Sequence, residues 1–182
     1  MNFSGRSRLD WPNTAINLAF DIAKYRSEDP WVQVGAVGIK RDKSLILGYN
    51  GAPSGISIDW SNRDERRPYV LHAEENVLNY AKPGEIEILA VTHLPCDRCL
   101  KLIAQKKIKT VFYSDTLPNY NSELTFAMAK KFKIKLVQLC PHLKRSSSKI
   151  AQSAKRSSTA RQKKQWKIPV MESLSTFLRR LR

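Results

Sequence analysis

His72 stands two residues before Glu74, and Cys96 and Cys99 close a Pro-Cys-x-x-Cys run, in a chain that has three histidines and three cysteines in all. Imidazole and thiolate suit a borderline-soft cation such as Zn²⁺. A set of three protein ligands leaves a tetrahedral site one position open for water, which marks a catalytic zinc more than a structural one. Zinc can lower the pKa of that water from about 15.7 towards about 7, making hydroxide at neutral pH. Glu74 then has a use without being a ligand, because it can take the water proton and pass it to substrate and leaving group. The chemistry this set is equipped for is hydrolysis at an amidine-like carbon.

Each half has a plainer meaning on its own. A lone C-x-x-C at a strand-to-helix turn can be a structural zinc half-site or a redox pair, and a lone H-x-E is usually surface decoration. Their occurrence together points to catalytic zinc. His93, Cys140 and His142 could form a second metal site, although His93 ends an expected strand and Cys140-Pro-His142 closes the last one, where edge side chains are ordinary.

The elements that must position these residues can be read from periodicity. Residues 13–27 place Ala15, Ile16, Ala19, Phe20 and Ala23 on one face after Pro12 and Asn13, which predicts a helix. The runs 31–40 and 44–50 are apolar and β-rich and are joined by Arg41-Asp42-Lys43, the pattern of a hairpin. A Gly-, Pro- and Ser-rich loop is expected from 51 to about 68, followed by a helix over 71–81, a strand over 85–93 and a helix over 97–107. A strand over 108–114, a loop, a helix over 122–132 and a strand over 133–139 complete the pattern. The order α-β-β-α-β-α-β-α-β implies a five-stranded sheet with helices on its faces, a hairpin first and helical crossovers later. His72 would then sit at one helix start, and Cys96 and Cys99 at another. Partial positive charge at helix N-termini favours thiolate at both sulfurs.

The chain has 182 residues, 42% hydrophobic and 9% aromatic, ordinary for one globular domain with something added. The odd cysteine count with a close pair argues against a disulfide framework, and no run approaches a membrane span or a signal peptide, so a cytoplasmic protein is expected. Of the net charge of +16, +11 lies beyond residue 142, where twelve Lys and Arg face one acid, Glu172; residues 1–142 carry +5. Three parts are expected: a zinc-dependent domain over 1–142, a basic Ser-rich linker over 143–169 that is flexible, and an amphipathic helix over 170–182 carrying Val170, Leu174, Phe177, Leu178 and Leu181.

Beyond the paired H-x-E and P-C-x-x-C, which together are similar to the signature of zinc nucleobase deaminases, the stretches "DPWVQVGAVGI", "GYNGAPSG", "HAEENV", "LPCDRC" and "YSD" occur in the order seen in the deoxycytidylate deaminase family. The resemblance covers roughly residues 12 to 140. It implies an α/β fold, a cytidine-deaminase-like three-layer α/β/α sandwich with a five-stranded mixed sheet. It implies conversion of dCMP to dUMP, supplying precursors for dTTP synthesis, with dCTP to dUTP as a further activity. It also implies a homohexamer with dCTP and Mg²⁺ as activator and dTTP as inhibitor.

By the same resemblance, His72, Cys96 and Cys99 are the zinc ligands and Glu74 the proton shuttle. The backbone around Ala73 holds the pyrimidine's polar edge. Asn50 matches the asparagine that bonds the sugar 3′-hydroxyl, with Gly48 and Gly51 allowing the turn that aims it; a bare turn residue is the plainer reading. Arg26 and Tyr120 resemble positions near phosphate and base, though Arg26 at a helix end could simply complement the dipole. Tyr49, Gly51 and Asn76 resemble effector contacts. Glu28 departs from the family's common Lys and puts phosphate binding through that position in doubt. Two other functions compete with a nucleotide deaminase: a tRNA or single-stranded DNA deaminase held by a tail that binds polyanions weakly, and a binding module in which zinc only holds the fold.

Overall fold

The computed structural model describes residues 8–118 and 120–140. Helix α1 (Trp11–Arg26) begins where the Asp10 carboxylate accepts from the backbone of Asn13 at 2.9 Å, and Lys24 and Arg26 complement its C-terminal end. Its stripe of Ala15, Ile16, Ala19 and Ala23 is buried. Strands β1 (Gly35–Lys40) and β2 (Leu45–Tyr49) form the expected hairpin. A short helix α2 (Arg63–Arg66), a 3-10 turn (Arg67–Tyr69) and α3 (Ala73–Asn79) follow. The remainder alternates: β3 (Ile86–His93), α4 (Asp97–Gln105), β4 (Thr110–Asp115), α5 (Ser122–Phe132) and β5 (Lys135–Gln138).

The sheet order is β2-β1-β3-β4-β5, with β1 antiparallel to both neighbours and β3, β4 and β5 parallel. Alternation along β1 decides what covers each face. Val37 and Ile39 pack with Ala15, Ile16 and Ala19 of α1 and with Ala90 of β3. Ala36 points the other way, into a core shared with Val77 of α3, Leu100 and Ile103 of α4, and Ala129 of α5. Helices therefore lie on both sides of a mixed sheet. The α1 layer sits directly on backbone: a Cβ at Gly35 would lie 2.1 Å from the Ala19 carbonyl oxygen.

Three expectations are corrected. Residues 31–34 do not extend β1, because the Asn50 side chain occupies their backbone: Val34 N donates to Asn50 Oδ1 at 2.8 Å and Asn50 Nδ2 donates to Val32 O at 2.7 Å. The loop expected from 51 to 68 ends in helical turns, started by Asn62, whose side chain accepts from the backbone of Asp64 and Glu65. Lys133, in the left-handed region at φ 56°, caps α5 and delays β5 to Lys135. Among the described residues no helix is long and apolar enough to cross a membrane. The linker over 143–169 and the helix over 170–182 lie outside the described residues.

Candidate active site

Two segments with metal-ligating side chain types meet at one end of the sheet: a Gly51–Leu71 bridge just beyond β2 leads into the start of α3, and α4 follows the C-terminal end of β3. His72 is the residue before α3, and Cys96 precedes α4, which follows the C-terminal end of β3. Gly48 of β2 lets α3 come close: a Cβ there would lie 2.4 Å from the Ala73 carbonyl oxygen and 2.8 Å from Val77. The two starts are tied together. Glu75 Oε2 accepts from His72 N at 2.9 Å, while its Oε1 pairs with Arg98 Nε of α4 at 2.8 Å.

The donor atoms of His72, Cys96 and Cys99 lie within 4.8 Å of one another, the one such group of metal-ligating residues among the described residues. His72 Nδ1 is 3.4 Å from Cys96 Sγ and 3.3 Å from Cys99 Sγ. Ligands at about 2.0 and 2.3 Å from a tetrahedral zinc would be separated by about 3.6 Å. The set fits zinc in chemistry and in spacing.

Electrostatics distinguishes the two sulfurs. The Cys99 thiol's hydrogen bond to Cys96, together with His72, pulls Cys96 down to about 4 against the effect of burial. The same bond and burial push Cys99 up. Cys96 Sγ also accepts from Cys99 N at 3.4 Å, a bond from the start of α4 that favours charge on this sulfur. His72 rises to about 9, chiefly through its bond to Cys96. Glu74 is buried, and burial pushes its carboxyl up to about 7 although His72 opposes the shift.

His72, Glu74 and Cys96 line a cavity of about 220 Å³, with Asp29, Asn50, Ala73, His93 and Tyr120; Cys99, fully buried, is not among its lining residues. A family model described as the cytidine and deoxycytidylate deaminase zinc-binding region matches residues 9–115. The chain belongs to the cytidine and deoxycytidylate deaminase family. Deoxycytidylate deaminase of Mus musculus is 36% identical to this deaminase over 138 residues, 69% of this chain and 76% of the relative. That of Homo sapiens is 34% identical over 130 residues, 65% of this chain and 72% of the relative. The dCMP deaminase of cyanophage S-TIM5, solved in complex with dCMP and dUMP, aligns at 27% identity with a TM-score of 0.60, over 69% of this chain and 94% of that one.

The deaminase brings most of the expected residues to the cavity, but not all. Asn50 is buried and engaged: Oδ1 accepts from Ser27 Oγ at 2.7 Å and from Val34 N, and Nδ2 donates to Val32 O, which leaves one Nδ2–H. Gly48 and Gly51 flank it without positive φ, so they serve close approach rather than an unusual turn. Tyr120 places its hydroxyl 2.6 Å from Thr125 Oγ1, and desolvation raises its pKa. Asn76 Nδ2 donates to Tyr49 O at 2.6 Å, and Gly51 exchanges backbone bonds with Leu71.

Arg26 is not among the cavity's lining residues. It ends α1 exposed, its guanidinium 5.5 Å from the Tyr49 ring centroid. Glu28 is accounted for otherwise: its carboxylate accepts from Ala52 N at 2.8 Å and packs against Gly51, bracing the loop that carries Asn50.

Sequence reasoning missed Asp29, His93, Arg63, Arg66 and Arg67 as cavity residues. The signal available was "RDERRPY", a charge cluster in an otherwise Gly-, Pro- and Ser-rich stretch. Arg66 is buried and bridges Asp29 Oδ1 at 3.1 Å and Oδ2 at 3.3 Å, with a third bond to Trp60 O. Cys140 is exposed and lies outside the metal-ligating group, and His142 is outside the described residues.

Proposed function

We propose that this enzyme hydrolyses dCMP to dUMP and ammonia, with His72, Cys96 and Cys99 as zinc ligands and Glu74 as proton carrier. The observation that carries the reading is a buried carboxylate that shares a cavity with His72 and Cys96 of the metal-ligating group. Zinc held there supplies the Lewis acidity that lets water ionise near neutral pH. Glu74 takes a proton from the attacking water and gives it to the pyrimidine ring nitrogen. A second transfer through the same carboxylate releases the amino group, so dCMP and water leave as dUMP and ammonia with protons balanced. A carboxyl held near 7 can run both directions of transfer.

The wall residues orient the base and sugar. The backbone at Ala73 holds the pyrimidine's polar edge, the remaining Nδ2–H of Asn50 serves the sugar hydroxyl, and Tyr120 borders the base. The same reading includes dCTP as a second substrate. The relatives support a nucleotide over tRNA or single-stranded DNA, since both carry the name deoxycytidylate deaminase.

Regulation by dCTP with Mg²⁺ and by dTTP is assigned to Tyr49, Gly51 and Asn76, the first two at the end of β2 and on the loop that leaves it. Asn76 of α3 bonds that loop directly, which supplies a route to Glu74 two residues away. Superimposable rate curves with and without effector would remove this part. A cytoplasmic homohexamer is part of the same reading, and exposed Leu45 and Leu47 on edge strand β2 give association an apolar surface to cover.

Two measurements test the core of the proposal. Glu74→Gln keeps zinc and loses at least about a hundredfold in turnover, whereas His72→Ala, Cys96→Ser and Cys99→Ser lose both. A zinc-free Glu74→Gln or a fully active ligand variant overturns the roles. Ammonia release is then compared across dCMP, dCTP, CMP, deoxycytidine, single-stranded DNA and tRNA; faster release from either polymer than from dCMP defeats the substrate reading.

A further inference from the structure

We infer that Arg63 and Arg67 form the subsite that holds the substrate's 5′-phosphate, an inference that rests on the dCMP reading above. The cavity contains three arginines and no lysine. Arg66 is spoken for: three of its hydrogen bonds go to Asp29 and Trp60 O, and Asp29 Oδ1 also accepts from the backbone of Trp31 at 2.8 Å and Val32 at 3.1 Å. This buried pair anchors the helical turns over 63–69 to the segment that leads into β1. Arg63 and Arg67 flank the anchor and are exposed, and their side chains make no hydrogen bond or ion pair among the described residues.

Their spacing gives the site its chemistry. Residues four apart on helical turns lie on one side, and two like charges placed so repel each other unless an anion sits between them. Both residues line the same cavity as Glu74. Each presents a planar fork that matches phosphate oxygens, and together they neutralise a dianion. Arg26 lies over the Tyr49 ring and is not among the lining residues, and Glu28 is an acid engaged with Ala52. The helical turns therefore supply the phosphate contact that α1 does not.

The consequence is specificity for a phosphorylated substrate. In kinetics on dCMP and deoxycytidine, the Arg63→Gln/Arg67→Gln double variant loses on the order of a hundredfold in kcat/KM for dCMP. The loss falls mainly in KM, and activity on deoxycytidine changes by less than about threefold. Inorganic phosphate is expected to inhibit the wild type weakly and competitively and to leave the double variant uninhibited. Zinc content and circular dichroism equal to wild type establish that the fold is intact; Arg63→Lys/Arg67→Lys, which keeps the charge, recovers part of the loss. An unchanged ratio of dCMP to deoxycytidine activity in the double variant overturns the assignment, as does a ratio that collapses in Arg26→Gln instead. Failure of the parent reading looks different, since the wild type then releases no ammonia from dCMP.

Discussion

Glu74 shows how position sets the working state of a single group. Burial lifts its carboxyl from 4.5 to about 7, so the folded protein binds this proton more tightly than the unfolded chain does. A raised pKa contributes stability that is fully present below the unfolded value and is lost as pH rises through the folded one. For protein stripped of metal by a chelator, the contribution therefore fades from about pH 4.5 to just above 7, by up to about 3 kcal/mol. Glu74→Gln cannot titrate. Its stability relative to wild type is expected to rise across that window and level off above it, measured by urea unfolding at a series of pH values; a pH-independent difference would contradict it. The grouping of His72, Cys96 and Cys99 was legible in sequence because histidine and cysteine are scarce in this chain and the two cysteines are one helix turn apart. Asn50 was legible as a residue of interest but its structural load was not, since the bonds to Val32 and Val34 join positions far apart in the chain.

At the scale of elements, the distance between the two ligand-bearing helix starts depends on a side-chain strap. Glu75, buried, caps His72 with one oxygen and reaches Arg98 with the other. Groups that orient metal ligands typically change affinity ten- to a hundredfold when removed. Glu75→Gln is accordingly expected to weaken zinc binding by about tenfold, with Arg98→Gln weaker in effect because its side chain is 59% exposed. Competition with a zinc-binding dye measures this; unchanged affinity in Glu75→Gln would show that backbone alone sets the geometry. Element identity was read well where apolar residues repeat: α5 covers 122–132 as periodicity indicated. The helical turns at 63–69 were missed because they carry charged residues and almost no apolar ones, so no periodicity betrays them. They are held by a buried ion pair to Asp29, a contact between segments that pattern alone does not reveal.

Over the whole molecule, the cavity and the metal-ligating group fall within residues 29–120, and the strongly basic stretch lies beyond them in the sequence. Removal of everything after His142 is therefore expected to leave zinc content and dCMP turnover within about threefold, roughly 0.6 kcal/mol. Assay with light scattering checks this. A collapse of activity, or a smaller assembly, would make the basic stretch part of the enzyme. With activity kept, the full chain is expected to bind polyanions with an affinity that falls steeply between about 50 and 200 mM salt. The five-stranded order has a further consequence, for synthesis on the ribosome. Strand β1 is interior, yet one of its neighbours, β3, pairs Ala36 with Val91 and is made much later. At roughly 5–20 residues per second, one side of β1 waits several seconds for its partner. During that interval the nascent chain already exposes the apolar hairpin, and the cysteines emerge only after β3. The newborn protein thus depends on shielding of a half-built sheet before it can capture its metal.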